Sequence, residues 1–305
     1  MNEDDSAEVG AWADKVLEKD PGNPIARYVA WQAIEDDDES AARIYMLEES
    51  VKAMKAVVDR RPDDMSEDMQ LVYASMLSDL ASYMYLTGRK DEAMEIAEEF
   101  KKYDIFGNIP GRLVYYATII EKYDFNRIIE ELENEEIEDM ISEYCRAIAL
   151  YELDKGNVAD ASNALLDAIS LAPDMIFYIL GMWDVDDIEP EGFDEDEFDC
   201  SIGELELVAV ILSDLWSAED DRLAFLGHVA FALGYLTDRI TDKEEIEMLE
   251  SSYDDLDIFF MMSESRDKLR SWGKSGRGQS EVDEEAIQVL REMSDVGLFR
   301  GINKS

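Results

Sequence analysis

The chain has 305 residues, enough for one extended domain or two compact ones, and 47% of them are apolar, which is enough for a continuous core. Its 28 basic and 74 acidic residues give a net charge of −46. This charge disfavours direct binding to nucleic acid or anionic lipid, because proteins bind phosphate groups through Lys and Arg.

The start and the hydropathy of the chain argue against secretion and membrane insertion. The first ten residues, MNEDDSAEVG, are acidic and polar, unlike a signal peptide. The longest weakly charged run, LAFLGHVAFALGYL (223–236), is shorter than the roughly 18–20 residues of a membrane span. It reads as a buried helix, with Gly227 and Gly234 on one face for a close neighbour. With only two cysteines, Cys145 and Cys200, we expect a cytoplasmic protein without disulfides.

The N-terminal half reads as helices joined by short polar turns, because apolar residues recur near every 3.6 positions and strand-like alternation is absent. The whole chain predicts an all-α fold of about fourteen helices. Ser40 and Ser66 are placed to cap two of the early helices. The breaks follow in order, namely DPGNP (20–24), RRPDD (60–64), the turn TGRKDEA (87–93) and IFGNIPG (105–111).

The C-terminal half changes character after residue 183. The stretch DVDDIEPEGFDEDEFD (184–199) holds ten acidic residues and no basic one, which predicts a solvated loop or linker. Two apolar helices, an acidic helix pair, the linker SWGKSGRGQS (271–280) and a final helix follow. The linker resembles a phosphate-binding loop in composition only, since it follows no strand.

A helix-hairpin repeat is the clearest internal pattern. In GNVADASNALLDAISLAP (156–173), Gly156 supplies a turn, Ala161 and Ala168 supply small contact residues, and Pro173 ends the second helix. The same frame recurs after Gly88 with Ala93, Ala97 and Phe100. Pro21 and Pro62 repeat the helix-ending signal. The spacings, about 34 to 43 residues, are typical of helix-pair solenoids.

This pattern resembles the tetratricopeptide repeat, which has Gly, Ala five residues on, Ala twelve on and Pro seventeen on. The copy at Gly88 departs from the family pattern, with Ile105 in place of the proline and Met84 in place of the preferred tyrosine. Over roughly 85–226 the chain is also similar to an uncharacterised bacterial and archaeal tetratricopeptide-like group, reminiscent of the suppressor-of-tumorigenicity-seven proteins. The resemblance implies an α-solenoid of about four hairpins and cytosolic protein binding, and it provides no catalytic residue.

From this we predict four regions. A tetratricopeptide-like repeat domain covers 1–182, and an acidic linker covers 183–202. A C-terminal helical region at 203–270 packs on the solenoid as a cap, because terminal repeats must cover an open apolar face. A flexible linker and terminal helix follow at 271–305.

The resemblance also indicates where a partner would bind. In the family, the first helix of each hairpin lines a concave groove. Ser75 and Leu150 would lie in that groove, together with eight further residues that we predict to contact the partner. Tyr and Arg are favoured at interfaces. The alternative is that several of these side chains pack on the next repeat. The eight predicted contact residues are Ser78, Ser82, Tyr85, Arg112, Tyr115, Tyr116, Glu143 and Arg146.

Residues for catalysis or metal binding are scarce. His228 is the single histidine and lies in an apolar run, so a packed core histidine is a better interpretation than a general base. One His and two distant Cys cannot form a four-ligand zinc site. Cys145 reads as a small buried residue, and the acidic run before Cys200 should raise its thiol pKa. The 184–199 loop could hold a hard cation, but Glu189 stands where a calcium loop needs Gly. We expect no cofactor, no metal and no enzyme activity.

One basic cluster stands out in the acidic background, formed by Arg266, Lys268, Arg270, Lys274 and Arg277. It could contact RNA, but folding back on the acidic surface of the chain is the better interpretation. The sequence as a whole favours a scaffold that binds a protein or peptide in the groove. The alternative is an acidic chaperone or mimic that binds a basic client by charge, and an enzyme using only carboxylates is a third hypothesis. The sequence does not predict the oligomeric state.

Overall fold

We describe a computed structural model of the chain, and the description covers residues 3–34, 41–60, 65–104, 109–134, 139–185, 202–244, 246–247, 256–296 and 298–299. Within these ranges the regular structure is entirely helical, as the apolar spacing predicts, and fourteen helices are described. They are α1 (Glu3–Leu17), α2 (Pro24–Gln32), α3 (Ala41–Val58), α4 (Glu67–Leu86), α5 (Lys90–Phe100), α6 (Ile109–Glu121), α7 (Phe125–Asn134), α8 (Met140–Leu153), α9 (Ala159–Leu171), α10 (Met175–Ile179), α11 (Ile202–Ser217), α12 (Asp220–Leu236), α13 (Leu256–Lys274) and α14 (Gln279–Val296).

Side-chain caps fix several of the helix starts. The Ser66 hydroxyl accepts a hydrogen bond from the Met69 amide at 3.3 Å, as the sequence predicts. Asp139 caps α8 in the same way, because its carboxylate accepts a hydrogen bond from the Ser142 amide nitrogen at 2.8 Å. The expected cap at Ser40, the breaker Pro62 and the acidic loop from residue 186 lie outside the described residues.

The two predicted hairpins are present. Gly88 joins α4 to α5 with φ of +78°, a left-handed conformation that glycine adopts at little cost. Gly156 lies in the turn between α8 and α9. The small and apolar residues of the frame are fully or almost fully buried, namely Ala93, Ala97, Phe100, Ala161, Leu165 and Ala168. The small side chains therefore lie where paired helices pack closely, as predicted.

The contacts within the chain define two compact units, Met1–Thr118 and Ile119–Ser305, which we describe separately. The boundary between the two units lies inside α6. The predicted region boundaries near residues 182, 202 and 270 stay predictions.

In the N-terminal unit, the helices α1 to α5 pack in chain order, α1 on α2, α2 on α3, α3 on α4 and α4 on α5. Contacts also join alternate helices. The Tyr28 hydroxyl of α2 donates to Asp79 of α4 at 2.6 Å. The Lys55 ammonium of α3 lies 3.0 Å from Glu99 of α5. The α2–α3 pair therefore contacts the α4–α5 pair through both of its helices.

In the C-terminal unit, α8 packs against α9 and also contacts α12. The Tyr151 ring of α8 stacks on Phe225 of α12 with centroids 5.0 Å apart. Helix α14 packs on α9, where Arg291 lies 2.6 Å from Asp167. The last described helix is thus part of the packed unit.

The structure corrects two local predictions made from the sequence. Helix α13 continues through Lys274 and α14 begins at Gln279, so the predicted linker at 271–280 shrinks to residues 275–278. In α12, a Cβ on Gly234 would lie 2.6 Å from Ile240, just after the same helix, and 3.2 Å from Phe177 of the neighbouring α10, whereas nothing lies within 4 Å of one on Gly227. The prediction that both glycines serve one close helix contact is therefore wrong at Gly227.

Candidate binding surface

Seven of the eight predicted contact residues are buried inside the chain. Only Arg146 is partly open, and the other seven are at most 5% exposed, namely Ser78, Ser82, Tyr85, Arg112, Tyr115, Tyr116 and Glu143. Such burial favours the alternative that these side chains pack within the chain. Their contact with a partner stays a prediction.

The predicted set is also divided between the two units. Six of the eight residues lie on α4 and α6 in the N-terminal unit, while Glu143 and Arg146 lie on α8 in the C-terminal unit. Helix α6 is buried on every side from Pro110 to Ile120, so it offers no surface. Two of its tyrosines contact cations of the same unit, with Lys101 4.3 Å from the Tyr115 ring and Arg112 6.0 Å from the Tyr116 ring.

A different face of α4 is open to solvent. Leu71 is 44% exposed and Leu86 is 50% exposed, and Ser75 and Asp79 between them are partly open. At about 100° per residue these four side chains fall within roughly 80° of the helix circumference. We call them the α4 stripe. Ser75 is partly open, whereas the other three residues of α4 that we predict to line the groove are buried, namely Ser78, Ser82 and Tyr85.

Helix α2 borders the α4 stripe. A hydrogen-bonded chain runs from the Gln32 amide to the Tyr28 hydroxyl at 3.1 Å, and from there to the Asp79 carboxylate at 2.6 Å. These bonds fix the position of the Asp79 carboxylate at the edge of the stripe. Because Asp79 lies one helical turn after Ser75 and Leu71 one turn before it, extending the sequence pattern from Ser75 would have found both.

Aromatic side chains and one cation lie behind this edge. The Trp31 ring meets Tyr83 edge-on at 6.1 Å, and the Arg43 guanidinium lies 5.2 Å from the Trp31 ring centre. Tyr83 is partly open, whereas Trp31 and Arg43 are each 6% exposed. The edge of the stripe therefore already stabilises a positive charge within the chain.

Ser82 lies inside the angular range of the stripe but is only 4% exposed. Its hydroxyl makes no hydrogen bond, and a buried polar group left unsatisfied costs free energy. This hydroxyl is the one predicted contact residue of α4 whose side chain makes no polar contact of its own in the described structure.

Helix α8 has a comparable but smaller open face. Arg146 and Leu150 are partly open, as predicted, and Leu153 is 45% exposed. The Arg146 guanidinium lies 3.1 Å from the Glu143 carboxylate, one turn away on the same helix. Glu143, which we also predict on this face, is buried.

The basic cluster folds back on the acidic surface of its own unit, as the sequence favours. Arg266 lies 2.8 Å and Arg270 2.7 Å from Asp238, and Lys268 lies 2.6 Å from Glu285. Burial raises the pKa of the Asp238 carboxyl, but hydrogen bonds from Arg270 and Arg266 outweigh burial and hold that pKa below its usual value. Three of the five cluster residues therefore pair with carboxylates of the same unit, and the Arg277 guanidinium lies 3.7 Å from the Trp272 ring centre. The absence of nucleic-acid binding stays a prediction.

The structure places two of the residues considered for chemistry, His228 and Cys145. His228 is partly open, and its Nδ1 lies 3.1 Å from the Ala224 carbonyl, one turn earlier in the same helix. Cys145 is completely buried, as predicted, whereas Cys200 lies outside the described residues. Among the residues described, no group of three or more His, Cys, Asp or Glu is placed to hold a metal ion.

None of the fourteen described helices combines the length and the apolar character that a membrane crossing requires. Comparisons with known proteins found no matching family model, no matching curated protein and no matching solved structure. The tetratricopeptide resemblance therefore stays a prediction from the residues.

Proposed function

We propose that the protein is a non-catalytic scaffold of tetratricopeptide-like hairpins that binds a protein or peptide along the α4 stripe. The observation that carries the proposal is the contrast on α4, where two leucines are about half exposed while half of the residues of the helix are buried. Single exposed apolar side chains are common, but these two lie on the same face of one packed helix, which supports an interaction surface there.

The stacking of hairpins supports this proposal. Helix α2 contacts α4, and α3 contacts α5, so the first helices of two successive hairpins lie side by side, as do the second helices. A helix-pair solenoid, in which the first helices line one face, would make contacts of this kind. The α4 stripe and its border on α2 belong to that face.

Peptide selection against the purified full-length protein tests the proposal. A random peptide library is panned on the wild type and counter-selected on the double variant Leu71→Asp, Leu86→Asp. Val57→Asp on α3 is a matched control, because Val57 is also exposed, at 41%, but does not belong to the stripe. We expect peptides that bind the wild type and the control and lose most of their affinity for the double variant. Peptides that bind all three proteins equally would contradict the proposal.

A second candidate function is binding of a basic client by charge, and the charge distribution favours it. The residues from Ile119 onward include 48 acidic and 15 basic side chains, which give a net charge of −33. The residues before Ile119 include 26 acidic and 13 basic side chains. Ten cations of this unit are held by its own carboxylates, namely Arg127, Arg146, Lys155, Arg222, Arg239, Lys243, Arg266, Lys268, Arg270 and Arg291. The remaining negative charge would attract a polycation.

The dependence of binding affinity on salt concentration distinguishes the two candidate functions. Binding of the polycation protamine to the full-length chain should weaken steeply as salt rises, because surface charges are screened beyond about 8 Å at physiological ionic strength. Peptides that anchor on Leu71 and Leu86 should be much less sensitive to salt. Protamine binding that is independent of salt, or that depends on those two leucines, would reject the charge-led function.

A further inference from the structure

We infer that the open face of α1 pairs with α1 of a second copy of the chain, in antiparallel orientation about Trp12. The inference goes beyond the proposed function and does not depend on it, because α1 and the α4 stripe are different surfaces of the N-terminal unit. The pairing makes the protein a weak homodimer.

One side of α1 packs on α2, and another side is open. On the packed side, Ala13 is fully buried, and a Cβ on Gly10 would lie 3.7 Å from the Cβ of Ala33 at the end of α2. On the open side, Trp12 is 47% exposed and Val9 is 40% exposed. Tryptophan is among the side chains that most often anchor a protein interface, so this side of α1 is suited to a partner.

Helix periodicity divides the open side into two edges. Val16, which is partly open, lies seven residues after Val9. Lys15, which is exposed, lies seven residues after Glu8. Seven residues are almost two full turns, and at about 100° per residue the two valines lie to one side of Trp12 and positions 8 and 15 to the other. We call these five residues the α1 face, which has an apolar edge and a charged edge.

A two-fold axis through Trp12, perpendicular to the helix, makes the α1 face complementary to itself. Residues at equal distances before and after Trp12 then meet, and the same edges of the two helices lie side by side. Val9 of each copy comes beside Val16 of the other. Glu8 of each copy comes beside Lys15 of the other. Each of these contacts has an offset of one residue, about 1.5 Å along the axis, and occurs twice.

Charge and apolar surface together select this partner and this orientation. In a parallel pair, the apolar edge of one helix would lie beside the charged edge of the other, and charged groups desolvated against valine cost free energy. In the antiparallel pair, each carboxylate of the charged edge meets an ammonium of the second copy. The α1 face therefore fits a second copy of itself.

The contact is small, since a helix of 15 residues is about 22 Å long. Small interfaces are typically weak, so we expect a reversible dimer whose population rises with protein concentration. Repulsion between two chains with a net charge of −46 each opposes the dimer at low salt. At physiological ionic strength this repulsion is screened beyond about 8 Å, so the test is made there.

Analytical ultracentrifugation of the full-length protein, over a wide range of concentrations, tests the inference. Wild type should show a monomer–dimer equilibrium, and Trp12→Glu should weaken it at least about thirty-fold, because both central rings are lost. Tyr45→Glu on α3 is the matched control, since Tyr45 is 62% exposed and lies outside the α1 face. A monomer at every concentration, or an equal effect of the two substitutions, would overturn the inference.

An exchange of charge tests the antiparallel register without changing the tryptophan. Glu8→Lys and Lys15→Glu each create two like-charged contacts in a homodimer, so each variant alone should dimerise about ten-fold more weakly than wild type. An equimolar mixture of the two variants should recover dimerisation, because every contact on the charged edge of the mixed dimer joins opposite charges. A mixture that dimerises no better than either variant alone would overturn the antiparallel pairing.

Discussion

At the scale of single residues, one buried ion pair joins three helices of the C-terminal unit. Arg222 of α12 is 2% exposed and lies 2.9 Å from Glu152 of α8, and it also donates to the Leu215 carbonyl of α11. Glu152 keeps a second, partly exposed partner in Lys155 at 3.1 Å. Arg222 is thus the shared contact of α8, α11 and α12.

Replacing Arg222 with Met should lower the free energy of unfolding by about 2–4 kcal/mol, because Glu152 then stays buried with only the partly exposed Lys155 as its partner. Arg291→Met is the control, since the pair of Arg291 with Asp167 is partly exposed and should contribute less than about 1 kcal/mol. Urea unfolding of the two variants checks the difference. Equal losses of unfolding free energy in the two variants would show that burial does not determine how much each ion pair stabilises the protein.

Asp238 provides a prediction about pH. It adopts φ of +61°, a conformation that Asn tolerates, and its carboxyl accepts hydrogen bonds from Arg266 and Arg270. Asp238→Asn should cost about 1 kcal/mol at pH 7, a modest value because the carboxyl is over one third exposed.

The sign of the pH dependence follows from the pKa of Asp238, which is lower in the folded state than in the unfolded chain. The stabilisation is complete above the unfolded value, about 3.9, and is lost as the pH falls through the folded value. The stability difference between wild type and Asp238→Asn should stay constant from pH 7 to about pH 5 and shrink only at more acidic pH. Urea titrations at several pH values measure it, and a difference that already fades near pH 6 would contradict this account.

At the scale of one element, α12 contains two glycines that should respond in opposite ways to the same substitution. A Cβ on Gly234 would lie 2.6 Å from Ile240 Cδ1 and 3.2 Å from Phe177 Cε1, so Gly234→Ala should destabilise the protein by about 1–3 kcal/mol. Gly227→Ala meets no neighbour within 4 Å and should stabilise it by up to about 1 kcal/mol through helix propensity. Thermal unfolding of both variants gives the comparison, and a shift of the same sign in both would contradict it.

The helices themselves were predictable because their signals are local. The Ser66 cap, the turn at Gly88 and the buried alanines after Gly156 depend on spacing within one or two helices. The face of α4 that stays open was missed because α2 and the other neighbouring helices decide which side is covered. No local pattern distinguishes Ser75, which is partly open, from Ser78, which is buried.

At the scale of the whole molecule, charge and packing act on different parts of the chain. The N-terminal unit contains the α4 stripe, while the C-terminal unit holds most of the negative charge and pairs its own cations. The total charge follows from composition, but the pairing of Arg266 and Arg270 with Asp238, and of Lys268 with Glu285, does not, since these residues are distant in sequence.

Hydrogen–deuterium exchange of the full-length protein, with and without a saturating selected peptide, tests the central claim most directly, namely that the partner binds along the face formed by α4 and its border on α2. We predict that the peptide slows amide exchange in Pro24–Gln32 and Glu67–Leu86, with little change in α12 and α14. Protection centred on the C-terminal unit, or no protection in α4, would contradict it.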